Sequence, residues 1–228
     1  MKLTNTVRGW ARLQGVDLAG CGEGWTLAVE YVSARLMKVR LKLKGKSNGI
    51  SSVVAYAPTD SHKSVRDKDL FWTALGSTVA EVPRGDYLLV MMDANARSGR
   101  RGEGCVDDKV LGAYWRGTTL NDNGRRLLAF SAENQLALAN TLFSAPKRGI
   151  SYTFQSPNAG KDRYRQDDIL TRQTGRRLVR NVTVLRPPIA KLASDHNLVA
   201  ADISTWDVLP LTAARERRRA DRRSTSNT

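Results

Sequence analysis

The stretch Tyr87-Leu88-Leu89-Val90-Met91-Met92 is apolar without interruption and then stops at Asp93-Ala94-Asn95. Six apolar residues in a row, bounded by polar ones, suit a strand buried on both faces of a sheet, and a buried strand requires covering layers on either side. The same kind of boundary recurs. Arg165-Gln166-Asp167-Asp168 runs into Ile169-Leu170, and Ser194-Asp195-His196-Asn197 runs into Leu198-Val199-Ala200-Ala201. A rigid apolar run that meets a carboxylate at its end places charge at the mouth of a sheet, where loops carry chemistry. Three such boundaries, one of them holding one of only two histidines, point to a metal-assisted phosphoryl site.

Around this feature the chain reads as strands with intervening helices. Trp25 to Val29 begins a strand. Met37, Val39, Leu41 and Leu43 then alternate with Lys38, Arg40 and Lys42, the period of a half-buried strand with a basic outer face. Ile50 to Tyr56 forms another, stopped by Pro58. Val65, Trp72, Leu75 and Val79 recur at helical spacing and predict a helix over roughly 62–82, with Ser61 as its cap. Asn121-Asp122-Asn123-Gly124 precedes Leu127, Leu128 and Phe130, a second amphipathic helix ending near Asn134, with Asn123 and Gly124 as its cap. Further strands are expected near 136–140, 151–155, 165–171, 178–185 and 198–204. The predicted class is α+β, with sheets stacked face to face.

Charge narrows the partners. Across 228 residues, 37 Lys and Arg stand against 22 Asp and Glu, a formal net charge of +15. That excess favours polyanions, nucleic acid first among them. Cys21 and Cys105 are the only cysteines and are not spaced as ligands, which argues against a zinc site or a disulfide framework. No run reaches the length needed to cross a bilayer, and Met1 to Thr6 lacks the apolar core of a signal peptide. The expected setting is nuclear or cytoplasmic, with no membrane partner. Three segments are expected: a weakly patterned 1–24, a domain over 25–206, and an Arg-rich flexible tail over 207–228.

Six motifs occur in order: Tyr56-Ala57-Pro58-Thr59, Asp93-Ala94-Asn95-Ala96-Arg97, Asn123-Gly124-Arg125-Arg126-Leu127-Leu128, Tyr152-Thr153-Phe154-Gln155-Ser156-Pro157, Asp167-Asp168-Ile169-Leu170 and Ser194-Asp195-His196-Asn197. Together they resemble the endonuclease/exonuclease/phosphatase superfamily, which includes DNase I, exonuclease III, abasic-site endonucleases and LINE-type retrotransposon endonucleases. Within it the chain looks most like the retrotransposon-derived craniofacial development protein 2-like group, over about Gly24 to Ile203.

The resemblance implies a four-layer αββα sandwich of two mixed sheets and a phosphodiesterase dependent on Mg²⁺ or Mn²⁺. Such an ion offsets charge building on phosphorus during hydrolysis. By motif, Asp93 matches the residue that activates or orients the attacking water, with Asn95 donating to a phosphate oxygen. His196 matches the phosphate-contacting histidine, Asp167 the residue that orients it, and Tyr56 a phosphate hydrogen-bonding tyrosine. Asp195, with Asp93, matches the carboxylates associated with metal. The expected polymer is DNA in preference to RNA. Tyr152, Thr153 and Phe154 are expected to pack.

The chain also departs from the pattern. Met92 and Ala94 replace a glycine and an aromatic around Asp93, and Asp168 stands where tyrosine is usual. The family's early asparagine and metal-binding glutamate lie ahead of the segment resembling Gly24–Val29, so the resemblance implies a domain lacking its first strands and helix. Glu23 and Glu30 are the nearby acids that could substitute. If neither does, activity is expected to be weak. The alternative is a catalytically inactive module, derived from the same fold, that binds nucleic acid or protein. A phosphatase for inositol phosphates or phospholipid head groups is a third reading, supported only by charge.

Overall fold

Asp86-flanked Tyr87–Asp93 is the middle of the molecule, and the other strands add to it on both sides. The computed structural model describes residues 25–43, 47–59, 65–99, 109–115, 117, 119–145, 149–156, 162–185 and 195–204. The strands are β1 (Trp25–Ser33), β2 (Leu36–Leu43), β3 (Gly49–Tyr56), β4 (Tyr87–Asp93), β5 (Leu136–Leu138), β6 (Phe154–Gln155), β7 (Arg163–Tyr164), β8 (Asp167–Arg172), β9 (Val179–Leu185) and β10 (Leu198–Ile203). The helices are α1 (Val65–Ala80) and α2 (Asp122–Glu133). Six strands form one sheet in the order β1-β2-β3-β4-β8-β5, while β9 and β10 pair separately and β6 and β7 form a short hairpin.

The sheet is mixed. β3 and β4 run parallel, joined through α1 as a parallel pair requires, and the other pairings are antiparallel. Alternation along the strands divides the core in two. Leu36, Val53, Leu88, Val90, Met92 and Leu170 face α1 and α2, meeting Trp72, Leu75, Leu127 and Phe130. Met37, Val39, Tyr87, Leu89, Met91 and Ile169 face the other way, onto Val179, Val182 and Val199 of β9 and β10. All seven residues of β4 are buried, as its uninterrupted apolar run predicts. A helix layer, a six-stranded sheet and a two-stranded sheet are thus stacked. These are three layers of the expected αββα sandwich; a fourth is not seen among the described residues.

Most expected elements form, with boundaries that shift for local reasons. The first helix begins at Val65 and ends at Ala80; Ser61 and His62 lie outside the described residues. The segment expected as one strand at 151–155 is only Phe154–Gln155, because its partner is the unforeseen two-residue β7. Residues 139–141 and 173–178 are 3₁₀ turns. The segments 1–24 and 207–228 and both cysteines lie outside the described residues.

Two expectations need correction. The basic face of β2 is not an open cationic surface. Lys38 pairs with Glu30 at 3.0 Å and Glu81 at 2.9 Å, and Arg40 grips Asp86 through Nε (2.7 Å) and Nη2 (2.9 Å). Those side chains project toward the helix side of the sheet, where their partners neutralise them. The cap of α2 is Asn121, whose side chain accepts from Gly124 N. Asn123 is instead fully buried inside the first turn, and a side chain at Gly124 would strike the Arg97 carbonyl. At the far end of the sheet β1 leaves Leu27, Val29 and Tyr31 about half exposed, opposite Leu41, Val39 and Met37. No helix among the described residues is long and apolar enough to cross a membrane.

Candidate active site

The sheet registers bring three strand ends together. Tyr56, last in β3, lies beside Asp93, last in β4, and Asp93 lies opposite Asp167, first in β8. The stops read from sequence are therefore neighbours in space, because each strand runs out at the same edge. His196 joins them from the segment before β10, held by a bridge to Phe154 and by Phe154's ring 5.1 Å away. Its Nδ1 is 2.8 Å from Asp167 Oδ2. A carboxylate oxygen of Asp93, one of Asp167 and a ring nitrogen of His196 all lie within 4.8 Å of one another.

The loops beyond the strand ends are tied down tightly. Ala57 N donates to Asp93 O, and Ala94 N to Gln166 O, which staples the loops after β3 and β4 to the one before β8. Asn95 sits in the left-handed region at φ 47°, a conformation asparagine tolerates better than most residues. Its backbone N donates to Asp93 Oδ1 at 3.0 Å and its Nδ2 to Ala57 O at 3.0 Å. Asn121 and Asn123 reach into the same loop. Asn121 Nδ2 donates to Asn95 O, and Asn123 Nδ2 donates to Pro58 O at 2.7 Å.

Asp167 has two supports that sequence reading did not assign. Thr153 Oγ1 accepts from the backbone N of Gln166 and of Asp167, and Asn140 accepts from Ile169 N while donating to Asp167 O. Thr153 therefore does more than pack, as expected of it, because its buried hydroxyl anchors the start of β8. The only sequence signal for either residue is a polar side chain beside an apolar run.

Electrostatics sets this cluster apart. Burial, followed by the charge of Asp167, pushes the Asp93 carboxyl up to about 7, with His196 pulling the other way. Burial alone would lower the His196 pKa. The hydrogen bond to Asp167 and the charges of Asp167, Asp93 and Asp195 outweigh it and raise the pKa to about 9, so the ring is an imidazolium at neutral pH. Asp168 points away from Asp167 by strand alternation and is fully enclosed. Burial lifts it to about 7 against the pull of Arg165, and its Oδ1 has no hydrogen-bond partner.

The remaining expected site residues are placed as follows. Tyr56 is 38% exposed, with the Arg35 guanidinium 5.1 Å over its ring. Asp195 is exposed; its carbonyl receives Gln155 N, and it stands outside the three-residue group although its charge reaches His196. Glu30 is exposed and paired with Lys38, so it does not join the cluster; Glu23 lies outside the described residues.

The donor chemistry fits a hard divalent cation. Two buried carboxylates face each other, and burial together with the charge of Asp167 raises the Asp93 pKa; an ion with oxygen preference relieves both the lost hydration and the repulsion.

No protein-family model matches the chain. Craniofacial development protein 2 of Tragulus javanicus and of Bos taurus are each 31% identical to it over 163 residues, 72% of this chain. Over those residues the chain is homologous to craniofacial development protein 2, and its structural neighbours are proteins of the endonuclease/exonuclease/phosphatase fold. It spans about a quarter of those relatives, 27% and 26% of their lengths. Among solved structures it is similar to the endonuclease domain of TRAS1, a telomere-specific non-LTR retrotransposon, with a TM-score of 0.53 and 16% identity over 78% of this chain and 68% of that one. It is also similar to the Neisseria 3′ phosphatase NExo bound to product DNA hairpin, with a TM-score of 0.53 and 15% identity over 79% and 70%. At those identities the likeness establishes the fold, a nuclease-type mixed α/β architecture.

Proposed function

We propose that this chain is a divalent-cation-dependent phosphodiesterase of endonuclease type, acting on nucleic acid and of retrotransposon origin. The observation that carries the reading is the convergence of Asp93, Asp167 and His196 at the ends of β4, β8 and the segment before β10. DNA rather than RNA is the polymer in this reading, which draws on the DNA-bound neighbour; the net charge of +15 favours a polyanion of either kind. The working unit is residues 25–206, with the Arg-rich 207–228 as an added polyanion contact.

Asp93, with Asp167 and Asp195 nearby, would hold Mg²⁺ or Mn²⁺. Bound there, the ion supplies positive charge against the charge that develops on phosphorus. The chain's own residues do the rest. Asp167 locks the imidazole through Nδ1 and keeps it charged, so His196 presents a fixed cation to the phosphate. Asp93 orients the attacking water and accepts its proton. The Asn95 Nδ2 carries two hydrogens and uses one on Ala57 O, leaving the other for a phosphate oxygen. Tyr56 offers its hydroxyl from the adjacent strand end.

One observation favours a second reading, a catalytically inactive module that binds nucleic acid. Glu30, the described acid best placed in sequence to replace the family's glutamate, is engaged by Lys38 instead. Cleavage of a labelled supercoiled plasmid and of an abasic-site duplex, with Mg²⁺, Mn²⁺ or EDTA, separates the two. Cation-dependent nicking that disappears in His196→Ala supports the enzyme. Salt-sensitive binding with no nicking under any condition supports the module.

A further inference from the structure

Between the loop after β4 and the segment before β8 lies a cavity of about 130 Å³ whose walls hold three guanidinium groups, each set on an aromatic face. Arg97 lies 3.7 Å over the ring of Tyr164, Arg163 is 4.7 Å from that of Tyr152, and Arg165 is 5.8 Å from that of Trp115. No described residue lining the cavity is acidic, and among the described residues none of the three arginines has a carboxylate in ion-pair distance, although the charge of the buried Asp168 acts on Arg165. Two of their nitrogens, Arg97 Nε and Arg165 Nη1, are buried without a hydrogen-bond partner.

That arrangement is costly unless something completes it. A buried donor without an acceptor loses its hydration for nothing, and a guanidinium loses more than a neutral group. The complement of several convergent guanidinium edges is an anion with several acceptor oxygens, which a phosphate provides. Stacking satisfies the flat faces of these arginines, and Arg165 Nη2 also donates to Ser151 O at 3.4 Å. Aromatic rings interleaved with arginines also suit the bases of a nucleic acid strand.

Chain connectivity ties this cavity to the cluster. Arg97 is on the loop that leaves Asp93, and Arg163 to Arg165 lead into Asp167. The two loops are joined by Ala94 N donating to Gln166 O at 2.8 Å, and Asn121 Oδ1 accepts from Arg97 N at 2.8 Å. The loops that carry Asp93 and Asp167 therefore also carry the arginines of this cavity.

We infer that the cavity is a phosphate subsite for the nucleic acid strand, with Arg97 and Arg165 holding a phosphodiester that flanks the scissile one and Arg163 contacting the phosphate at the mouth. This rests on the reading of the acidic cluster as a nucleic-acid phosphodiesterase.

The test is binding of a fluorescein-labelled 20-base-pair duplex by anisotropy, in EDTA, across a series of salt concentrations. The variants are Arg97→Ala and the exposed Arg163→Ala, which keeps the test meaningful should Arg97→Ala not fold. Loss of one phosphate contact lowers the slope of log affinity against log salt by about 0.9 per variant. In cleavage assays the same variants raise KM more than they lower kcat. Unchanged slopes in both variants, with the wild-type chain binding and cutting, overturn the subsite and leave the enzyme reading intact. Reduced slopes without cation-dependent cutting by the wild type uphold the subsite and overturn the enzyme. A wild-type chain that does not bind the duplex overturns both.

Discussion

Asp86 and Asp93 flank one strand, β4, and are almost equally buried, at 3% and 4% exposure. Their environments are opposite. Asp86 takes two hydrogen bonds from Arg40, one from Ser51 Oγ at 2.7 Å and one from Gly49 N at 2.8 Å. Burial would raise its pKa, but these partners outweigh it and hold the carboxyl below its usual range. Asp93 has one donor from its own loop and another carboxylate as its neighbour, and it rises to about 7. The first carboxylate is complete within the protein. The second is short of donors, and it is there that the proposed cation would bind.

The strongest way to break this comparison is Asp93→Asn. Cation-dependent cleavage should fall about a thousandfold, equivalent to about 4 kcal/mol of transition-state stabilisation. Stability in urea should not fall, because the substitution removes a buried like-charge conflict. A variant that unfolds while keeping its activity would reverse the assignment. Asp86→Asn should do the converse. It leaves Arg40 short of its counter-charge and should cost about 3 kcal/mol in urea unfolding, with kcat per folded molecule unchanged.

Proton linkage sharpens the contrast. The His196 pKa, raised from 6.5 to about 9, contributes stability that is fully present below pH 6.5 and is lost as pH rises through 9. The drop should amount to about 2 kcal/mol, discounted for the partly exposed ring, and Asp167→Asn should flatten it in urea melts between pH 6 and 10. Asp93 and Asp168 also bind protons more tightly when folded, so their contribution declines as pH rises from about 4 to about 7. The smallest effect is that of cation alone. Mg²⁺ at ten times its dissociation constant should stabilise the wild type by about 1.4 kcal/mol. Asp93→Asn should show no such gain, whereas Asp86→Asn should retain it.

The legible part of the site lay where local patterning and chemistry coincide. Asp93, Asp167 and His196 stand at the ends of apolar runs, and such runs advertise both the strand and its end. Asn140, Thr153 and Asn121 were not legible as supports, because each acts on backbone groups far away in the chain. Thr153 receives Asp167 N across 14 positions, and Asn140 receives Ile169 N across 29. The β2 face misled for the same reason. Alternating lysine and arginine reads as a solvated basic surface, yet Glu81 and Asp86 arrive from α1's end and the approach to β4 to neutralise it.

From the order of residues alone follow the buried central strand, the alternation of neighbouring strands, the two main helices and the polar residues that end each run, since all depend on side chains within a few positions. Tertiary structure decided which carboxylates face one another. The β3–β4–β8 register sets Tyr56, Asp93 and Asp167 side by side, whereas Asp86, of the same chemistry and burial, meets an arginine. Charge state depends on neighbours within a few ångströms, and those neighbours come from distant parts of the chain only when the sheet closes.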